Sequence, residues 1–102
     1  MPGGIHAVTM PKLGFAMTEG SVTAWRVAEG EPVSMDQAVA DIEIEKAVAE
    51  VAAPAAGVLR RRVAAVGQTL PVGGLIGVIA GADVPAGEID RFVTEFRPAP
   101  LA

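Results

Sequence analysis

The sequence predicts an all-β fold, a flattened β-barrel or sandwich with a pseudo-twofold axis, followed by a short C-terminal helix. Three observations lead to this prediction. Glycine and proline separate short apolar runs from Gly3 to Gly81, which is typical of sandwiches and small barrels. A pattern of glycines and apolar residues occurs twice, at a separation of 37 residues. Helical spacing of apolar residues appears only after Ala80.

The apolar runs have the length of β-strands and end at turn residues. They cover residues 24–27, 38–44, 47–53, 58–66 and 75–80. In the second run, Val39-Ala40-Asp41-Ile42-Glu43-Ile44, one face is apolar and part of the other is acidic, because strand residues alternate. Hydrophobic residues make up 51% of the chain and are mostly Ala and Val. Such small side chains favour closely packed sheets over a large ligand cavity.

The repeat becomes visible when the chain is laid on itself with a shift of 37 residues. Gly20 then falls on Gly57, and Gly30 falls on Gly67. The shift also pairs Val22 with Leu59, Val33 with Leu70, Met35 with Val72, Val39 with Ile76 and Ile42 with Ile79. Two copies are too few for a solenoid. They predict two similar halves, roughly 5–43 and 47–80, packed about a pseudo-twofold axis with one sheet from each half.

The two halves join at Glu45-Lys46, between an acidic strand and an apolar one. A hairpin connection of about two residues fits this gap. Because neither residue is the Gly or Asn that primed turns favour, a type I turn is predicted. Lys46 is one of only two lysines, with Lys12, and its amine is expected to project into solvent at the hairpin tip. An ordinary surface lysine paired with nearby glutamates is the alternative interpretation.

The segment after Ala80 changes character. Ile89, Phe92, Val93 and Phe96 recur at helical spacing, and Pro98 stops the pattern. We therefore predict two parts: residues 1–81 form the barrel, and residues 82–102 form a short amphipathic helix and a linker. The helix either caps the barrel or leads into a further domain, and the sequence favours neither.

Composition excludes several classes of function. The chain has no cysteine and one histidine, His6, so thiol nucleophiles, disulfides and His or Cys metal clusters are excluded and no metal site is expected. The net charge is −4, and the side chains of Arg60, Arg61 and Arg62 alternate between strand faces, so nucleic-acid binding is not expected. No apolar run is long enough to span a bilayer, and no export signal is visible, which favours the cytoplasm and no membrane partner. A catalytic set of nucleophile and base is also missing, so an enzyme is the weakest interpretation.

Several motifs together resemble the lipoyl domains of the 2-oxo acid dehydrogenase complexes. They are Met10-Pro11-Lys12-Leu13-Gly14, Met17-Thr18-Glu19-Gly20, Glu43-Ile44-Glu45-Lys46-Ala47, Ala53-Pro54-Ala55-Ala56-Gly57 and Gly67-Gln68-Thr69-Leu70-Pro71-Val72-Gly73. The resemblance covers residues 5–80, and Glu45 stands where the family usually has a smaller residue. It implies a barrel-sandwich of two four-stranded sheets that carries lipoate as an amide on Lys46.

The resemblance also implies partners and recognition residues. A lipoate ligase or octanoyltransferase would read the hairpin through Glu43, Glu45 and Ala47. The lipoyl arm would carry acyl groups and reducing equivalents between a thiamine-dependent E1 dehydrogenase, an E2 acyltransferase domain and the E3 dihydrolipoyl dehydrogenase. Residues expected to take part in partner recognition are Asp41, Glu50, Leu13, Gly14 and Phe15. The domain itself would carry groups without catalysing a reaction.

Within this family, Gly87-Glu88-Ile89-Asp90-Arg91-Phe92-Val93 resembles the tail of lipoyl domains that precede the acyltransferase in acetoin-cleaving complexes. Three alternatives share the fold. A biotinyl carrier would flank its lysine with methionines, whereas Lys46 lies between Glu45 and Ala47. A glycine-cleavage carrier would be longer. An unmodified adaptor barrel explains the repeat but not the acidic residues around one lysine.

Overall fold

The computed structural model describes residues 4–13, 17–44 and 47–96. Eight strands and one helix occur in this part of the chain. The strands are β1 (Ile5–Thr9), β2 (Glu19–Trp25), β3 (Pro32–Val33), β4 (Ala38–Ile44), β5 (Ala47–Ala52), β6 (Gly57–Arg62), β7 (Thr69–Pro71) and β8 (Leu75–Ala80). The helix α1 covers Ala86–Glu95.

The strands form two antiparallel sheets of four strands each. The first sheet has the order β1-β8-β6-β3 and the second has the order β5-β4-β2-β7. The two sheets have equivalent strand orders. Strands β1, β8, β6 and β3 of the first sheet take the same places as β5, β4, β2 and β7 of the second. The predicted all-β barrel-sandwich with pseudo-twofold symmetry is therefore confirmed.

The prediction that each half of the chain supplies one sheet is wrong. The first sheet takes β1 and β3 from the first half and β6 and β8 from the second, and the second sheet does the reverse. Each sheet is thus built from strands of both halves of the chain. The apolar faces of the two sheets pack in one shared core, and neither half can form a complete sheet alone.

The symmetry extends to single backbone hydrogen bonds. The Gly30 N–H donates to the Leu59 carbonyl at 2.7 Å, and the Gly67 N–H donates to the Val22 carbonyl at 2.6 Å. Both glycines have left-handed backbone, with φ of 93° and 92°. These two turns are superimposed by the 37-residue shift, and each locks one half of the chain onto the other.

The observed strands differ from the predicted runs in their bounds. The run predicted at 24–27 belongs to a strand that begins at Glu19 and ends at Trp25, and the run 58–66 ends as a strand at Arg62. The short strands β1, β3 and β7 were not among the predicted runs. The repeat also fails at one pair: Met35 is exposed, whereas Val72 is buried.

The three consecutive arginines each have a contact within the domain. Arg60 donates to the Gly81 carbonyl at 2.7 Å. Arg61 forms an ion pair with Asp90 of α1, and the Arg62 guanidinium lies over the Trp25 ring, 5.3 Å from its centroid. The predicted strict alternation is interrupted, because the register of β6 shifts between Leu59 and Arg61.

Helix α1 packs on the outer face of the first sheet. Its Ile89 is fully buried in an apolar cluster with Leu75, Val78, Ala80 and Val84. This packing explains why every residue of β8 is buried, since the strand is covered on both faces. The predicted short C-terminal helix is confirmed, and its predicted stop at Pro98 lies outside the described residues. Within the described ranges no helix is long and apolar enough to cross a membrane.

Candidate functional site

The hairpin of β4 and β5 brings together the predicted site residues Asp41, Glu43, Ala47 and Glu50. The two strands pair antiparallel, with Asp41 opposite Glu50, Glu43 opposite Val48 and Ile44 opposite Ala47. Pairing that reaches residues 44 and 47 leaves two residues for the connection, as predicted. Those residues, Glu45 and Lys46, lie outside the described residues, as does the predicted type I turn.

The inner face of this hairpin anchors it to the core. Ile42 and Val51 are buried there, and Ile44 and Ala49 pack against the same cluster. Side chains alternate along each strand, so Glu43, Val48 and Glu50 fall on the opposite, outer face. The hairpin is therefore a rigid support whose outer face is available to other molecules.

Arg26 holds two of the predicted recognition residues. Its Nε donates to Asp41 at 2.7 Å, and its Nη2 lies 3.4 Å from a Glu50 carboxylate oxygen. The hydrogen bond with Asp41, then the charges of Asp41 and Glu50, raise the pKa of Arg26 above its ordinary value. The Asp41 side chain is only 19% exposed, whereas that of Glu50 is 59% exposed. Asp41 is thus engaged within the domain, while Glu50 remains accessible.

The loop between β1 and β2 runs beside the hairpin. Leu13 and Pro11 line a groove together with Glu50, Val51 and Ala52 of β5. The Leu13 side chain is 53% exposed, and its backbone N–H donates to the Met17 sulfur at 3.2 Å. The structure therefore brings Leu13 to the hairpin, and the other two predicted loop residues, Gly14 and Phe15, lie outside the described residues.

A cleft of ≈ 380 Å³ lies on the other side of the hairpin. Its walls are Glu43 and Ile44 of β4, residues 17–21 and Thr69. Ser21 and Thr69 share a hydrogen bond of 2.8 Å between their hydroxyl groups. Sequence reasoning missed these polar neighbours because they belong to other strands, and only the strand order places β2 beside β4 and β7 beside β2.

The part of the chain that the structure describes contains no group of three His, Asp or Glu side chains able to hold a metal ion. It contains no buried side-chain polar atom without a hydrogen-bond partner either. The Lys12 side chain is exposed in the β1–β2 loop.

Comparisons with known proteins agree with this geometry. The Biotin_lipoyl family model, described as "Biotin-requiring enzyme", matches residues 6–79. The chain is 45% identical over 93 residues to the dihydrolipoyllysine-residue acetyltransferase component of the acetoin cleaving system of Pseudomonas putida, covering 91% of this chain and 25% of that protein. It is 37% identical over 77 residues to the acetyltransferase component of the pyruvate dehydrogenase complex of Corynebacterium glutamicum, covering 76% of this chain and 11% of that protein. The chain thus spans a quarter or less of these relatives.

Two solved structures share the fold. The lipoyl domain of the 2-oxoglutarate dehydrogenase complex from Azotobacter vinelandii matches with a TM-score of 0.56 and 33% identity, covering 72% of this chain and 95% of that one. A single-chain, multi-domain long-chain acyl-CoA carboxylase matches with a TM-score of 0.62, covering 89% of this chain and 8% of that one, but at 22% identity this likeness concerns the fold alone. The family match over residues 6–79 and the 33% identity to a nearly complete lipoyl domain lead to one conclusion. The chain belongs to the biotin- and lipoyl-attachment family, and it is a lipoyl domain.

Proposed function

We propose that Lys46 carries lipoate as an amide and that the domain moves acyl groups and reducing equivalents between active sites of a multienzyme complex. The observation that carries this proposal is the register of β4 and β5, which leaves Lys46 in a two-residue connection. In a lipoyl domain, a lysine in this place is the natural acceptor for the cofactor. Lys12, in an open loop, lacks this support.

The structure around the hairpin is suited to recognition by a modifying enzyme that binds a rigid pair of strands. Ile42 and Val51 anchor the hairpin to the core, while Glu43 and Ala47 are exposed on either side of the connection. We assign Glu43, Glu45 and Ala47 to recognition by a lipoate ligase or octanoyltransferase. Biotin is disfavoured because the neighbours of Lys46 are not methionines.

The bound dithiolane would accept an acyl group and two electrons at one active site and release them at others. The chain itself contributes tethering, which raises the effective concentration of the arm at each site. It has no cysteine, so no protein thiol competes with the dithiolane in thiol–disulfide exchange. The domain carries the reacting group and leaves catalysis to its partners.

The partners follow from the relatives, which include acetyltransferase components of acetoin-cleaving and pyruvate dehydrogenase systems. We propose an E1 dehydrogenase, an E2 acyltransferase domain and an E3 dihydrolipoyl dehydrogenase, in an acetoin-cleaving complex because that identity is higher. Residues 1–81 would form the lipoyl unit and 82–102 its helix and linker. The proposed location is the cytoplasm.

Intact mass spectrometry tests the attachment. The domain is produced with lipoate and a lipoate ligase, and Lys46→Arg is compared with Lys12→Arg as the matched control. We expect one lipoyl increment on the wild type and on Lys12→Arg, and none on Lys46→Arg. A lipoyl increment on Lys46→Arg would overturn the assignment, and a biotinyl increment on protein from biotin-supplied cells would favour the biotinyl alternative.

A further inference from the structure

The chain is poor in the side chains that react with acyl thioesters. Lys12 and Lys46 are its only lysines, and it has no cysteine. Once lipoate occupies Lys46 as an amide, Lys12 carries the one side-chain amine that is left. Amines and thiols are the side chains that take an acyl group from a thioester most readily and hold it as a lasting product. An acyl group that passes from the arm to a side chain of the same domain is therefore expected at Lys12.

The amine of Lys12 is available for such a reaction. Its side chain is exposed in the β1–β2 loop, and it forms no ion pair with any residue that the structure describes. By contrast, Arg26, Arg61 and Arg91 each pair with a carboxylate. A lysine acts as a nucleophile through its deprotonated amine. No carboxylate among the described residues covers that amine in Lys12.

The loop that carries Lys12 runs beside the hairpin. Its two chain neighbours, Pro11 and Leu13, line a groove of ≈ 330 Å³ together with Glu50 of β5. Along an extended strand at about 3.3 Å per residue, Glu50 lies about 13 Å from the lysine that carries the arm. The loop is thus separated from the point of attachment by the length of one short strand.

A lipoyl arm on Lys46 is long enough to cover this distance. Three bonds of an extended chain span about 3.3–3.6 Å, and a lipoyl-lysine has about a dozen bonds between its Cα atom and the dithiolane, so it reaches about 14 Å. The Lys12 side chain adds about 6 Å by the same measure. Thioester and amine can therefore meet without any change in the barrel. Because both belong to one chain, tethering gives them a high effective concentration.

We propose that Lys12 is a self-acylation site, which takes the acyl group from the arm when the thioester is not discharged to coenzyme A. The amine nitrogen attacks the thioester carbonyl, an amide bond forms and the carbon–sulfur bond breaks. The leaving thiolate takes up the proton that the nitrogen loses, so the arm is left as the dithiol and no oxidant or reductant is consumed. Acylation removes the charge of Lys12, and the domain keeps a lasting mark of stalled acyl transfer. This inference rests on the proposed function.

A small acyl donor tests the transfer without any partner enzyme. The wild type, Lys12→Arg and Lys46→Arg are produced with lipoate and a lipoate ligase, and intact mass records the lipoyl group on each. After reduction they are incubated with the acetyl thioester of N-acetylcysteamine, which acetylates the arm by thiol–thioester exchange. Hydroxylamine then removes acetyl groups held as thioesters and leaves those held as amides. Intact mass counts the remaining acetyl groups, and peptide mapping locates them.

We expect an acetyl amide on Lys12 of the wild type, formed at least about tenfold faster than on Lys12 of Lys46→Arg, which has no arm. The rate in the wild type should not depend on protein concentration, because the transfer is intramolecular. Lys12→Arg should gain no side-chain amide. Equal rates for the wild type and Lys46→Arg would overturn the proposal, because the donor would then acylate Lys12 directly.

The importance of position is tested with a double variant, Lys12→Arg with Arg91→Lys, which moves the available amine to α1. Arg91 is a matched site because its side chain is 77% exposed, and α1 packs on the first sheet, whereas the hairpin belongs to the second. Acetylation at residue 91 should be at least about fivefold slower than at Lys12, because the arm is attached on the other sheet. Equal rates at the two positions would overturn the role of the β1–β2 loop.

The same measurements separate this inference from the function on which it rests. A wild type that carries lipoyl but gains no acetyl amide would overturn the self-acylation and leave the attachment intact. A wild type without lipoyl would overturn the proposed function and the self-acylation with it.

Discussion

Gly77 is the position where an added methyl group tests the packing of the two sheets most sharply. It lies in β8, opposite Val8 on one side and Arg62 on the other. A Cβ atom built there would lie 2.9 Å from the Arg61 carbonyl oxygen and 3.0 Å from the Trp25 ring. The carbonyl belongs to β6, which is paired with β8, so it cannot yield without disturbing the sheet. The Trp25 ring is held too, because its Nε1 donates to the Ala64 carbonyl at 2.9 Å.

The expected cost of Gly77→Ala follows from these contacts. Overpacking of a tight core costs about 1–3 kcal/mol. Alanine also restricts the unfolded chain, which offsets about 0.4–1 kcal/mol where the native backbone tolerates it. The net free energy of unfolding should fall by about 1–2 kcal/mol. At about 4–8 °C per kcal/mol for a domain of this size, Tm should drop by about 5–15 °C.

Thermal and urea unfolding, followed by circular dichroism and by the fluorescence of the single tryptophan, Trp25, measure this change. Gly87→Ala is the control, because a Cβ atom at Gly87 in α1 has no neighbour within 4 Å. That variant should gain up to about 1 kcal/mol, since alanine is the better helix former. A Gly77→Ala protein as stable as the wild type, with unchanged Trp25 emission, would refute the described packing.

Three further predictions concern the symmetry, the helix and the charges. Gly30→Ala and Gly67→Ala should each cost about 1–2 kcal/mol, since both positions have left-handed backbone, and clearly unequal Tm losses would contradict the pseudo-twofold equivalence. Ile89→Ala should lower the free energy of unfolding in urea by about 2–5 kcal/mol, because the side chain is fully buried; a loss below about 1 kcal/mol would show that the helix adds little to the barrel. Arg26→Gln should raise kcat/KM for reductive acylation at low salt, because it releases Asp41 and makes the hairpin face more acidic. A lower value at every ionic strength would mean that the ion pair acts by positioning the hairpin.

The repeat was the most informative feature of the sequence, because glycine pairs report backbone geometry directly. Gly30 and Gly67 mark turns that only glycine adopts easily. A third pair was hidden: Asp36 and Gly73 also have left-handed φ, at 69° and 88°. The shift of 37 residues relates them, but an aspartate does not reveal its backbone as a glycine does. The sequence therefore revealed two of the repeated glycine pairs but not the left-handed pair of Asp36 and Gly73.

The pairing of the strands could not be predicted from the repeat. The repeat shows that two segments are alike but says nothing about which segments hydrogen-bond, so the exchange of β1 and β3 against β5 and β7 was missed. Strands of two or three residues, such as β3 and β7, carry too few side chains to show an alternating pattern.

The parts of the candidate site that are close in sequence were predicted, and the contacts between distant strands were not. The hairpin and its acidic residues are close in sequence and were predicted from it. Arg26 is 15 residues from Asp41, and the pairing of β2 with β4 that brings them together is not indicated by any local pattern.

The central claim is that Lys46 carries a dithiolane, and a thiol titration tests it most directly. The chain has no cysteine, so every thiol found after reduction must come from the cofactor. The modified domain is reduced with NADH and dihydrolipoyl dehydrogenase, separated from the dehydrogenase and from small molecules, and titrated with a thiol reagent, alongside Lys46→Arg. We predict the pair of thiols of one reduced dithiolane on each wild-type chain and none on Lys46→Arg. Thiols on Lys46→Arg, or none on the wild type, would contradict the claim.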